Sequence, residues 1–160
     1  MSTHHARLVG EVMQAVAEFQ DGTDAVDEAA ARTLSINRTD LRCLGLLSRH
    51  GPMPAGQLSA QAGLSTGATT AVVDRLVVMA YVRRVRDAQD RRRVTIELTP
   101  AATRRLNRIW GPIGQEALAL LQERKEGELK AIRDFLAQGR KFQLDHAARI
   151  RRERPRGRSS

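Results

Sequence analysis

Three things are scarce in this sequence. Cys43 is the only cysteine among 160 residues, which excludes a disulfide-stapled scaffold. Aromatic residues make up 3% of the chain against 41% for the apolar set as a whole, so the core must be built from Ala, Leu, Val and Ile. No run of about 18 uninterrupted apolar residues occurs, so no membrane partner is expected. The start of the chain lacks a leader pattern, because His4, His5 and Arg7 are followed by Glu11, Glu18 and Asp21. A cytoplasmic, mostly helical protein is the expectation that remains. There is no glycine-rich phosphate loop and no His–acid motif. His4, His5, His50 and His146 have no metal-ligand spacing with Cys43 or the acids. Neither an enzyme, nor a cofactor, nor a metal site is therefore expected.

Positive charge is what the sequence has in excess, with 27 Lys and Arg against 18 Asp and Glu and a net charge of +9. Its distribution says more than its total. Residues 1–36 hold two Arg and six acids, a net of −4. Residues 81–93 hold six Arg and two Asp, a net of +4, and residues 139–160 hold eight basic and two acidic groups, a net of +6. An acidic start, a basic middle and a basic end fit one surface meeting a polyanion. A solvated basic surface without a partner is the plainer reading of the same charges. The Arg-, Pro- and Gly-rich tail, 149–160, reads as a disordered arm.

Periodicity orders the chain. Val9, Val12, Val16, Phe19, Thr23, Val26 and Ala30 step by threes and fours, a heptad seam on a helix over 6–32. Asn37 caps the next helix, with Asp40 as its box-like partner and Leu41, Leu44 and Leu47 as the buried stripe. Gly51-Pro52 ends it. A short helix runs from Pro54 to Ala62, Gly63 breaks it, and Ser65 caps a third helix reaching Met79. That third helix begins small and polar and continues with Val72, Val73, Leu76 and Val77. Such a split suits a helix whose front end enters a groove, as in a helix-turn-helix. Two strands follow, Tyr81–Arg86 and Arg93–Leu98, joined by a charged tip that makes the hairpin a wing. Thr99-Pro100 starts a further helix with Leu106, Ile109, Ile113, Ala117 and Leu120 in register, and Pro112 is expected to kink or break it. A last helix begins near Glu128, with Leu129, Ile132 and Phe135 as its stripe.

The fold class is thus mostly α with a small β-hairpin wing, a winged helix-turn-helix flanked by N- and C-terminal dimerisation helices. The expected organisation is a dimerisation helix over 1–34, a DNA-binding lobe over 35–99, dimerisation helices over 100–148 and the basic tail. The flanking stripes have too little of the chain to bury them. A homodimer pools them, and two-fold symmetry suits a palindromic DNA site.

The stretches LSTGATTAVVDRL at 64–76, YVRRVRD at 81–87 and DRRRVTIELT at 90–99 resemble the multiple-antibiotic-resistance regulator (MarR) family. The resemblance follows the element order of the whole chain and is specific over about residues 41–100. It implies a homodimer that binds double-stranded operator DNA, usually represses, and is released by a small-molecule effector. By that resemblance Ser65, Thr66, Ala68, Thr69 and Thr70 face the major groove and Arg75 reaches a phosphate. In the wing, Asp90 braces Arg92, which inserts in the minor groove, while Arg83, Arg84, Arg86, Arg91 and Arg93 are backbone contacts or solvated charges. Ala80 stands where many members have Gly, which puts the helix-to-wing turn geometry in question. A DNA-compacting or interaction module without ligand control is the second functional reading; it would bind any duplex alike.

Cys43 is expected to be a core residue rather than a redox sensor. Trp110, beside Gly111-Pro112, is expected to anchor a dimer core, with lining of an inducer pocket as the second reading. Replacing Arg92 with Ala should weaken specific DNA binding by about 1–3 kcal/mol. An unchanged gel-shift affinity would contradict its role in the wing.

Overall fold

A computed structural model describes residues 3–86 and 94–153. The chain runs α1 (Thr3–Thr33), α2 (Arg38–His50), β1 (Met53–Pro54), α3 (Ala55–Ala62), α4 (Thr66–Val78), β2 (Val82–Arg86), β3 (Val94–Leu98), α5 (Pro100–Gln122) and α6 (Glu126–Glu153). It divides into two units, Met1–Trp110 and Gly111–Ser160.

The core of the first unit is aliphatic, as the shortage of aromatics requires. Leu44, Leu58, Leu76 and Ile96 are among its largest fully buried side chains, and Cys43 lies with them. Ala30 and Ala31 from the end of α1 and Leu34 just after it join this core, as do Ala102 and Leu106 from α5. Elsewhere the α1 seam is open, since Val9, Val12, Phe19 and Val26 are exposed. In the second unit Leu120 on α5 and Ile132, Phe135 and Phe142 on α6 are exposed as well. Helix α5 continues through Pro112 rather than breaking there.

Three helices start where the sequence places caps. The Asn37 side chain accepts from the Asp40 N–H at 2.8 Å, and Ser65 Oγ accepts from the Ala68 N–H at 3.2 Å. Thr99 Oγ1 accepts from the Ala102 N–H at 3.1 Å and donates to the Ala80 carbonyl at 2.8 Å. One element was not expected. Met53–Pro54 pairs with β3, giving a three-stranded antiparallel sheet in the order β1-β3-β2. Pro54 is tolerated because this strand is at an edge, and Met53, paired opposite Ile96, plugs the core.

The turn from α4 into β2 is a Schellman cap. The Tyr81 N–H donates to the Leu76 carbonyl at 2.8 Å and the Ala80 N–H to the Val77 carbonyl at 2.9 Å. Ala80 occupies the position that usually takes Gly, and its φ is +58°. Tyr81 follows it into the core, where its hydroxyl donates to the Leu34 carbonyl at 2.8 Å. The departure at Ala80 is therefore absorbed as left-handed backbone, and β2 still follows α4 through a closed turn. An L side chain there costs about 1–2 kcal/mol, while a glycine adds about 0.4–1 kcal/mol of freedom to the unfolded chain. Ala80→Gly should therefore raise stability by up to about 1 kcal/mol, read as a higher urea midpoint; a lower midpoint would contradict this.

Candidate nucleic-acid interface

Helix α4 owes its orientation to one committed face. Thr69, Val72, Val73 and Leu76 recur at helical spacing and are buried. Their burial turns Thr66, Gly67, Thr70 and Ala71 outward. Helix α3 sets where this helix begins. Gly63 takes the left-handed conformation after α3, and the Leu64 N–H donates to the Ser59 carbonyl at 3.1 Å. Ser59 Oγ donates to the Leu64 carbonyl at 2.7 Å, so both polar groups of the turn are tied to one residue of α3.

Four of the predicted groove residues, Ser65, Thr66, Ala68 and Thr70, are exposed together on the first turns of α4. Thr70 Oγ1 donates to the Thr66 carbonyl at 3.0 Å, which fixes its rotamer and leaves its methyl and lone pairs for an outside partner. Thr69 departs from expectation. It is 2% exposed and its Oγ1 donates to the Ser65 carbonyl at 3.0 Å. With its hydroxyl satisfied by the helix, its methyl packs as a small apolar group, and it cannot face a groove. Its spacing of three and four from Val72 and Val73 was the available signal.

Two small residues belong to the outer face and were not singled out. Gly67 has open space around it, since an added Cβ would meet nothing within 4 Å. A helical glycine with no internal packing need leaves room for a close approach from outside. Ala71 extends the same surface.

Arg75 is held to the protein by one edge of its guanidinium, while its side chain remains about half exposed. Its Nη2 lies 2.6 Å and its Nε 3.3 Å from the two oxygens of Asp40. The hydrogen bond to Asp40 raises the Arg75 guanidinium above its ordinary range, so it stays a cation. Behind this pair, burial pushes the Cys43 thiol up to about 11, with Asp40 adding to the effect. A fully buried thiol of that kind is inert, as expected of a core cysteine.

The sheet continues the polar surface. Arg84 Nη2 donates to Asp74 Oδ1 at 2.5 Å, linking β2 to α4. Arg83 bonds Glu97 across the strand pair at 3.1 Å. Arg86 is exposed at the end of β2, opposite Val94. Asp90, Arg91 and Arg92 lie outside the described residues.

A cleft of about 730 Å³ opens in the same unit. Arg38, Arg42 and Arg49 of α2 line it, with Leu41, Leu64 and Trp110. Arg38 is held by Asp24 at 2.5 Å and Asp27 at 3.7 Å. Among the described residues, no helix is long and apolar enough to cross a membrane. Among them, too, no group of three or more His, Cys, Asp or Glu could hold a metal ion.

A capped helix exposed at its front, preceded by a tight turn and followed by an antiparallel hairpin, is a winged helix-turn-helix, a DNA-binding fold. The sequence pattern of the MarR family matches residues 36–94. The chain is 34% identical over 153 residues to the uncharacterized HTH-type transcriptional regulator YcgE of Bacillus subtilis (strain 168). That alignment spans 94% of this chain and 99% of that protein. The chain belongs to the MarR family of winged-helix transcriptional regulators. Its fold is also that of a MarR family protein from Bacillus stearothermophilus, with a TM-score of 0.65 at 20% identity over 87% of this chain and 97% of that one. RV1404 from Mycobacterium tuberculosis has the same fold, with a TM-score of 0.62 at 23% identity over 82% of this chain and 93% of that one.

Proposed function

We propose that this regulator works as a homodimer on a palindromic operator, represses, and is released by a small anionic effector. The observation that carries the DNA-reading part is the outer face of α4. Thr66, Gly67, Thr70 and Ala71 offer methyls, hydroxyls and open space, which suit contact with thymine methyls and phosphates. Arg86 adds positive charge at the end of β2, and by the family resemblance Asp90, Arg91 and Arg92, outside the described residues, are assigned to an adjoining minor groove. The exposed apolar seam of α1 and the exposed stripes of α5 and α6 support a dimer, because a second copy removes them from water.

The effector reading rests on the cleft. Arg42 and Arg49, beside an Arg38 already paired with Asp24 and Asp27, line it together with Leu41, Leu64 and Trp110, which suits a small amphipathic anion. Such a ligand would act by binding one spacing of the two DNA-binding lobes better than the other. This use of Trp110 departs from its expected place as a dimer anchor.

Gly67→Ala tests the DNA-reading face. Helix propensity alone should stabilise the fold by up to about 1 kcal/mol, while the added methyl intrudes on the DNA side. A higher melting temperature with weaker binding to duplexes selected by the wild-type protein is the expected result. Unchanged binding would contradict close approach at α4, and a monomer by sedimentation equilibrium at micromolar concentration would contradict the dimer.

A further inference from the structure

We propose that Asp40 is a positioning residue for DNA binding, holding Arg75 so that the rest of its guanidinium is presented to a phosphate. The proposal rests on the reading of α4 as the helix that meets DNA. Asp40 is 2% exposed, yet it makes the ion pair just described. In a capping box the acid at this place would reach back to the N–H of the cap residue. Here Asn37 caps the Asp40 N–H, and the Asp40 carboxylate instead crosses from α2 to α4. Both carboxylate oxygens are taken by Arg75, through Nη2 and Nε.

That geometry divides the guanidinium. Nε and Nη2 face the buried acid, which leaves Nη1 with its two N–H groups on a side chain that is 47% exposed. Arg75 also follows Ala68 and Ala71 on one stripe of α4, at spacings of three and four. The stripe therefore carries two small residues and then a braced cation at its rim. Burying a carboxylate is costly, and a well-packed apolar pair would join two helices at least as well. What the ion pair adds over an apolar contact is orientation. A guanidinium held by two bonds loses less freedom when it meets a phosphate than an unbraced arginine does. Asp40 also offsets part of the local positive charge, which limits binding to any phosphate backbone alike.

The test compares duplexes selected from a random pool by the wild-type protein with shuffled duplexes, by fluorescence anisotropy over a series of salt concentrations. Asp40→Asn keeps the shape and frees the cation. Its affinity for the selected duplex should fall about tenfold, the cost of ordering a released Arg75 in each half of a dimer. Its affinity for the shuffled duplex should hold or rise. A purely structural defect would lower both together, and that outcome overturns the proposal, as does an unchanged ratio. Removing Arg75 alone would strand a buried charge and endanger the fold, so the second variant is Asp40→Asn with Arg75→Gln, a neutral hydrogen-bonding pair. It should melt cooperatively and show a salt slope about two units shallower per dimer. An unaltered slope would overturn the phosphate contact. If the wild-type protein itself failed to prefer its selected duplex, the DNA reading of α4 would fall and this proposal with it.

Discussion

Everything proposed for this protein depends on which way a helix of thirteen residues is turned. Helix α4 has two faces of unlike character, and the apolar one is taken by the core. Val72, Val73 and Leu76 lose their exposure to Leu44, Leu58 and the rest of the aliphatic interior, and Thr69 on the same face is buried too. Rotating α4 by a quarter turn would expose branched side chains at about 1.5–3 kcal/mol each. The small polar face therefore points outward because the other face cannot. No charged residue is needed to set this orientation.

Charge enters at the edges of that arrangement. Asp40–Arg75 joins α4 to α2, Asp74–Arg84 joins it to β2, and Arg83–Glu97 closes the hairpin. Exposed pairs of the last two kinds add little stability. Their consequence is alignment: α4 and the arginine-bearing strand leave the core as one polar surface. On the far side of α2, Arg38 ties the same helix to Asp24 and Asp27 of α1. The first turn of α2 thus grips α1 with one residue and α4 with another two positions later. Thr39, between these two, and Arg42, further along α2, line the cleft.

Much of this is legible in the sequence. Local signals travelled well: Asn37, Ser65 and Thr99 each combine a capping side chain with a following helical stripe, and all three cap. The order of elements followed from the switch between spacings of three or four and spacings of two. What was lost depended on distant partners. Met53 sits between two prolines, which reads as a loop until Ile96 is seen beside it. Asp40 reads as a capping acid, and only the fold brings Arg75 to it from 35 positions away. Thr69 was misread for another reason. The family resemblance assigns it to the groove, whereas its position in the stripe of Val72, Val73 and Leu76 already marks it as inward. Ala80 shows the converse, a recognised departure whose outcome only the backbone could tell.

The central claim is that the front of α4 lies against base pairs, and tethered cleavage tests it most directly. Cys43 is fully buried, so a chelated iron attached to Thr66→Cys would sit at one place on the surface. On a selected duplex the cuts should fall in two short tracts related by two-fold symmetry, and should vanish on shuffled DNA. Cleavage spread evenly along both duplexes, or none at all from a bound protein, would contradict it.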